Sequence, residues 1–444
     1  MTEAAGPRGS RPATTARSAA LEVIRRVVDE GAYSNRVVPS VLARSGLDRR
    51  DRAFAAELAY GTLRRLVPID RALEVAAHRP VDRITPAARH ALRLGAYQLV
   101  HAGVAPHAAV SETVDLVGPR ERGFVNAVLR RVATETPSAP TGERDADIAA
   151  RTGLAQWAVR ELRRLLGDEA EVAAAALAAH GPLTLRANRC RASPEELRAR
   201  LAAAGFEARP ARLDPDCLLL DGGDPTTMPG FDDGSFAIQD QASAFVVRIL
   251  DPRPGERVAD VCAAPGGKAV FAACLVRAET AGSIPGRVVA ADVSSVRLGL
   301  AVETATRLGE ELIVLAHDAR RPAVRGGFDR VLVDAPCSGI GSARRRPELL
   351  WRAPKDDLSR LARLQVEIAS EATELLHPGG RLVYAVCTFP RAETDAACDA
   401  IVRHRPDLAP LETQGPDGPA LRHRLWPHRH GTDGMFVAAF ERRG

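Results

Sequence analysis

Five apolar runs near the end of the chain, RVADVCAAP, RVVAADV, LIVLAHD, DRVLVDAP and RLVYAVC, constrain the fold more than any other feature. They have strand length, they are rich in Val, Ala and Leu, and helix-forming stretches separate them. Strands spaced in this way join through crossovers rather than hairpins, which predicts a parallel, doubly wound sheet covered by helices on both faces. In such sheets ligands collect at the carboxyl ends of the strands. Four of the five runs end on or near an acid or a thiol: Asp292, Asp318, Asp334 and Cys387. One acid at a strand end is commonly a turn former or helix cap, but three along one edge favour a ligand site.

The front of the chain has a different period. Over 17–135, Leu21, Ile24, Val27 and Val28 share one helical face, as do Phe124, Val125, Val128, Leu129 and Val132, and no strand pattern interrupts them. Breaks at Gly31, Pro68, Pro86, Pro106 and Gly118-Pro119 predict roughly six short helices in a compact all-α domain. Residues 1–16 read as a flexible tail and TETPSAPTGE, 134–143, as a linker. The span 145–235 mixes helical segments with the extended LTLRANRC and a helix opened by Ser193-Pro194 with Glu196, a small α+β adaptor. The α/β domain then occupies 236–444.

Of 61 basic residues only Lys268 and Lys355 are lysine, so a lysine here carries information. Residues 1–137 hold 21 Arg against 14 Asp plus Glu, a net of +7; the whole chain totals +5, so the remainder is −2. A basic front suits a nucleic-acid partner, although charge alone is equally consistent with an arginine-rich solvated face. The chain has no run of about eighteen apolar residues and its first residues lack the apolar core of a signal peptide, so a cytoplasmic protein with no membrane partner is expected. The seven cysteines include no CxxC pair; free thiols and no metal are the expectation. His423, His428 and His430 lack a matching ligand set and read as a polar loop, and Cys190, Cys217, Cys274 and Cys398 as packing.

The first run leads into Cys262-Ala263-Ala264-Pro265-Gly266-Gly267-Lys268, whose small residues let backbone N–H groups approach a ligand at a helix N-terminus. It is neither a P-loop nor GxGxxG, which disfavours a nucleoside triphosphate or a dinucleotide. A nucleoside whose charged part is an amino acid, S-adenosylmethionine, suits it better. Asp292 would accept the ribose hydroxyls, and Asp318 would lie near the adenine edge.

The segments AAPGGK, DAPCSG and YAVCT, with FAIQDQASA upstream and RRRPELLW and DGMFVAAFERR downstream, resemble the RNA cytosine-C5 methyltransferases of the Fmu/Sun type across 236–444. The resemblance implies a Rossmann-like fold, S-adenosylmethionine as cofactor, and two working cysteines. Residues 262–268, Asp292, Asp318 and Asp334 would contact cofactor or base, Cys387 would be the nucleophile, and Cys337 would assist product release. The chemistry is coherent: C5 of cytosine becomes nucleophilic only after something adds to C6, and a thiolate adds reversibly. Asp334, if protonated, or a neighbouring donor would assist at N3. Two positions depart from the pattern, Val386 where Thr is common and Thr394 where Asn is usual. ELAYGTLRR, LRLGAYQLV, SETVDLV and RGFVNAVLRRV over 17–135 resemble the NusB fold, an RNA-binding helical bundle. Together the two resemblances imply 16S ribosomal RNA as partner, naked or within an assembling small subunit; separately, a monomer is expected. A DNA cytosine-C5 methyltransferase would instead take its nucleophile from the Pro336-Cys337 motif, and an antitermination-like RNA binder would need neither thiol.

Overall fold

The computed structural model describes residues 14–135, 138–277, 285–352 and 357–444. Most of the expected tail, part of the linker and Lys355 lie outside the described residues. The chain forms two compact units, one of 1–156 with 345–352, the other of 157–344 with 353–444.

The first unit is helical. Among the described residues seven α-helices run from Ala16 to Thr134, at Ala16–Val28, Ser34–Arg44, Arg49–Arg64, Leu66–Ala77, Pro86–Val100, Pro106–Val114 and Pro119–Thr134. Local chemistry sets their starts: Thr15 and Ser18 form a capping box, the Asp48 side chain accepts from the Asp51 amide at 2.8 Å, and Pro86, Pro106 and Pro119 open their helices. Pro68 is not a break. It sits in the first turn of Leu66–Ala77, where no intrahelical N–H is needed, and the chain turns at Arg65 instead. A further break, at Gly46 in the left-handed region, makes the seventh helix. Ile24, Leu58, Leu63, Leu73, Leu92 and Leu129 are fully buried in the core. At Gly61 a side chain would run into the Tyr97 ring, whose hydroxyl donates to Glu57 at 2.6 Å.

Residues 345–352 belong to this unit although the sequence groups RRRPELLW with the α/β half. Glu348 is fully buried; one of its oxygens accepts from the Ser34 amide at 3.0 Å and the other from the Ser34 hydroxyl at 2.6 Å. Trp351 Nε1 donates to the Leu63 carbonyl at 3.1 Å, and Arg352 donates to the carbonyls of Val27, Gly31 and Ala32, where the first helix has ended and leaves acceptors open.

The second unit carries two main sheets and a two-stranded hairpin. The smaller has the order β2-β3-β1-β4, with β1 Leu183–Ala187, β2 Arg209–Pro210, β3 Cys217–Leu220 and β4 Phe236–Ile238, packed by the helix Pro194–Ala203. Ser193 and Glu196 close the capping box that opens this helix. β4 carries the small sheet slightly past residue 235 because it pairs with β1. The larger sheet holds β5 Arg257–Asp260, β6 Arg287–Asp292, β7 Ile313–Ala316, β8 Phe328–Asp334, β9 Leu376–Val386, β10 Leu408–Leu411, β13 Arg422–Leu425 and β14 Met435–Arg442. β11 Thr413–Gly415 and β12 Gly418–Ala420 form a separate hairpin. The main order is β10-β14-β9-β8-β5-β6-β7; β5 through β9 are parallel, and β14 joins β9 antiparallel. The parallel sheet expected from the apolar runs is therefore extended by an antiparallel edge. Among the described residues no helix is long and apolar enough to cross a membrane.

Candidate active site

Because β5 to β9 run in one direction, their carboxyl ends bring Asp260, Asp292, Asp334 and Cys387 to one edge of the sheet. β5 breaks into the turn 261–266 before the helix Gly267–Val276. Gly266 has φ +102°, and a Cβ there would stand 2.5 Å from the Cβ of Ala301, so only glycine permits this turn. The turn is fastened to β6: the Ala263 amide donates to the Ala291 carbonyl at 2.8 Å and the Ala264 amide to Asp292 at 3.2 Å. Asp292 also accepts from the Ser294 amide at 2.9 Å. Both its oxygens are thus oriented by backbone N–H groups, with lone pairs left for a ligand.

Lys268, in the first turn of this helix, donates to Asp334 at 2.6 Å, and the two side chains are mostly shielded from solvent. Asp260 lies beside them, 1% exposed, with Oδ1 accepting from the Cys262 amide and Oδ2 buried without a partner. Burial, and then the Asp334 charge, push Asp260 up to about 8. Burial likewise pushes the Cys262 thiol well up, so it stays protonated. Asp318, just beyond β7, is more exposed and is held by Arg320 at 2.5 Å, which draws its carboxyl down to about 2. The chemistry of this donor set suits a cationic amino-acid group on a nucleoside: oriented carboxylates, a glycine-built turn, and one buried carboxylate oxygen still to be satisfied.

Cys387 follows β9 and Cys337 follows β8, and pairing between these adjacent strands puts the sulfurs 3.5 Å apart. The hydrogen bond with Cys387, reinforced by burial, drives the Cys337 thiol well above its ordinary range. Cys337 therefore keeps its proton. Burial would lower the Lys268 ammonium, but the Asp334 charge and hydrogen bond outweigh it and hold the ammonium protonated. Behind the thiols, the Gly341 amide donates to the Cys387 carbonyl at 3.0 Å and the Gly434 amide to the Gly341 carbonyl at 2.8 Å, which packs the DGM segment against both loops.

The residues singled out in the sequence thus meet at one edge, with Asp318 at its periphery. Sequence reasoning passed over Asp260, which ends β5 as Asp292 ends β6, and Glu393, fully buried behind the thiols. Cys190 and Cys274, expected as free thiols, are joined in a disulfide with Cα atoms 6.4 Å apart. The turn after β1 brings Cys190 onto the helix Gly267–Val276, a meeting of residues 84 apart that has no local signature. Glu310 adds a carboxylate oxygen within 4.8 Å of both sulfurs, but those sulfurs are committed to each other. His423, His428 and His430 have separate partners in Thr413, Glu169 and Asp417.

Comparison with known proteins gives a consistent result. Residues 247–441 match the family described as 16S rRNA methyltransferase RsmB/F, 14–134 match the NusB family, and 154–227 match the ferredoxin-like domain of RsmF/B-like methyltransferases. The chain is 38% identical to a Mycobacterium tuberculosis (strain H37Rv) protein named as a methyltransferase, with 98% of each chain covered. It is 32% identical to ribosomal RNA small subunit methyltransferase B of Citrobacter koseri, over 95% of this chain and 97% of that one. Among solved structures, PH0851 superposes with a TM-score of 0.84 at 25% identity, covering 98% of this chain and all of the other.

Proposed function

The chain belongs to the RsmB/F family of 16S rRNA methyltransferases, and on that premise we propose that it methylates C5 of a cytosine in 16S ribosomal RNA through a covalent bond from Cys387 to C6. When bound, S-adenosylmethionine supplies an electrophilic methyl group. Residues 262–268 would hold it at the end of β5, Asp292 would accept from its ribose hydroxyls, Asp318 would lie by the adenine edge, and Asp334, with Lys268, would face the methionine portion and the base. The helical 17–135, the adaptor 145–235 and the catalytic 236–444 divide the work among RNA binding, support and chemistry.

The observation that carries this reading is the pair of sulfurs 3.5 Å apart at the end of two parallel strands. In the resting pair Cys337 holds its proton largely because Cys387 accepts its hydrogen bond. The Cys387 thiolate adds to C6, its electron pair forming the C–S bond while a proton is taken up toward N3. C5, now enamine-like, gives its pair to the methyl carbon, and the pair of the broken S–CH3 bond stays on the departing thioether sulfur. Once the Cys387 sulfur is a thioether it is a poor hydrogen-bond acceptor, and the main cause of the high Cys337 value is gone. Cys337 then gives up its proton to solvent more readily and serves as or assists the base that removes the C5 proton, whose bonding pair re-forms the C5=C6 double bond. The C6–S pair returns to sulfur, freeing product.

Variants test this directly. With cofactor and ribosomal RNA, Cys387→Ala forms no protein–RNA adduct and no product, whereas Cys337→Ala accumulates an adduct resistant to denaturation. The reverse pattern moves the nucleophile to Cys337 and the reading fails.

A further inference from the structure

We propose that Glu393 is a positioning residue that fixes the spacing of the two thiols by clamping the loops that carry them. The inference rests on the two-cysteine reading above. Glu393 lies in the 3-10 turn Arg391–Glu393 after the Cys387 loop and is fully buried. One carboxylate oxygen accepts from the Ser338 amide at 2.9 Å and from Gln365 Nε2 at 3.0 Å. The other accepts from the Ser338 hydroxyl at 2.6 Å, with the Thr388 hydroxyl at 3.5 Å. Ser338 Oγ and Thr388 Oγ1 are themselves 2.7 Å apart.

The partners bracket both sulfurs. Ser338 follows Cys337, and Gln365 Nε2 also donates to the carbonyl of Pro336, the residue before it, at 2.9 Å. Thr388 follows Cys387, and Tyr384, three residues before it, donates its hydroxyl proton to the Glu393 carbonyl at 2.7 Å, with Gln365 Oε1 3.0 Å from the same oxygen. A buried acid is costly to hold, and burial does push the Glu393 carboxyl up, against the lowering effect of Ser338, Gln365 and Thr388. Such a cost is expected where geometry must be exact to a fraction of an ångström, as between two sulfurs that exchange roles in one turnover. The hydrogen bonds of Glu393 reach the sulfur loops through Ser338 and Thr388, and its charge adds to the rise of the Cys337 thiol.

Three variants of the full chain, Glu393→Ala, Glu393→Gln and Ser338→Ala, separate positioning from general support. The first readout needs no RNA: rates of iodoacetamide alkylation of Cys337 and Cys387, resolved by mass spectrometry at pH 8. With the clamp gone the sulfur contact opens, and Glu393→Ala alkylates at Cys337 about tenfold faster than the native chain, because the hydrogen bond that holds its proton is lost. Glu393→Gln, which keeps an acceptor for the Ser338 amide and a donor for its hydroxyl, stays within about threefold. The second readout is turnover: Glu393→Ala completes a first methyl transfer but accumulates the RNA adduct, as Cys337→Ala does. Should Glu393→Ala not fold, Ser338→Ala carries the test with a smaller rise in Cys337 alkylation. Unchanged alkylation in the folded variants overturns the positioning role, whatever the cysteine variants say about the nucleophile. Faster alkylation without any adduct, even in Cys337→Ala, keeps the clamp and rejects the two-cysteine chemistry.

Discussion

Two buried carboxylates, one in each unit, are treated in opposite ways. Glu348 in the helical unit is closed: both oxygens accept from a single residue, Ser34, and Arg352 from the same segment is spent on the carbonyls left open after the first helix. Asp260 in the catalytic unit is open: one oxygen takes the Cys262 amide and the other is buried with no partner, beside a second acid and a lysine. A polar group closed on its own unit serves folding. One left unsatisfied at a sheet edge costs stability and is retained where a ligand will complete it.

Breaking the shielded charge pair at the open edge should have the largest effect. Lys268→Met leaves Asp334 facing Asp260 with no cation between them; we expect a loss of about 3 kcal/mol in denaturant unfolding and at least ~10²-fold in methyl transfer. Adding Asp334→Asn should restore most of the stability and little of the activity. If it restores both, the edge is structural and the contrast with Glu348 disappears. Next, Glu348→Ala should cost about 2 kcal/mol, since the Ser34 amide and hydroxyl lose their acceptor, and should speed hydrogen exchange over Ser34–Arg44. Cofactor affinity, measured by calorimetry, should not move. A weakened affinity would show that the closed carboxylate also serves the ligand.

A third test concerns pH. Asp260 titrates near 8 in the folded chain against about 3.9 unfolded, so between those values the folded state binds the extra proton. Stability from this site is complete below pH ~4 and declines as pH rises toward 8. Asp260→Asn should flatten that decline in the cofactor-free protein, read as Tm against pH from about 5 to 8. An unchanged profile would mean that Asp260 is not the proton-binding group.

Much of this edge was legible in the sequence because strand ends are local. Asp292, Asp334 and Cys387 terminate apolar runs, and a parallel sheet brings such ends together whatever the helices between them do. Asp260 escaped notice for a local reason as well: Val261 and Cys262 continue the apolar run, so the acid looks internal to a strand that in fact stops at it. Glu393 was invisible because an acid in a short turn reads as surface, and only the packing of Gln365 and Tyr384 from distant segments buries it. The disulfide and the placement of 345–352 depend on contacts between remote parts of the chain, about which periodicity is silent. Pro68 misled because a proline that starts a helix and one that ends it look alike in a single sequence.

The placement of 345–352 bears on how such a chain can change over evolutionary time. Its helical bundle looks like a cassette, continuous in sequence and bounded by a linker. Yet eight residues from deep inside the other half complete its core, with Leu349 and Leu350 buried and Trp351 bonded to Leu63. Loss or exchange of the bundle would strip those residues of their cover. The two halves are therefore not freely recombinable parts: a lineage that discards the first must also rewrite the stretch that begins eight residues after Cys337.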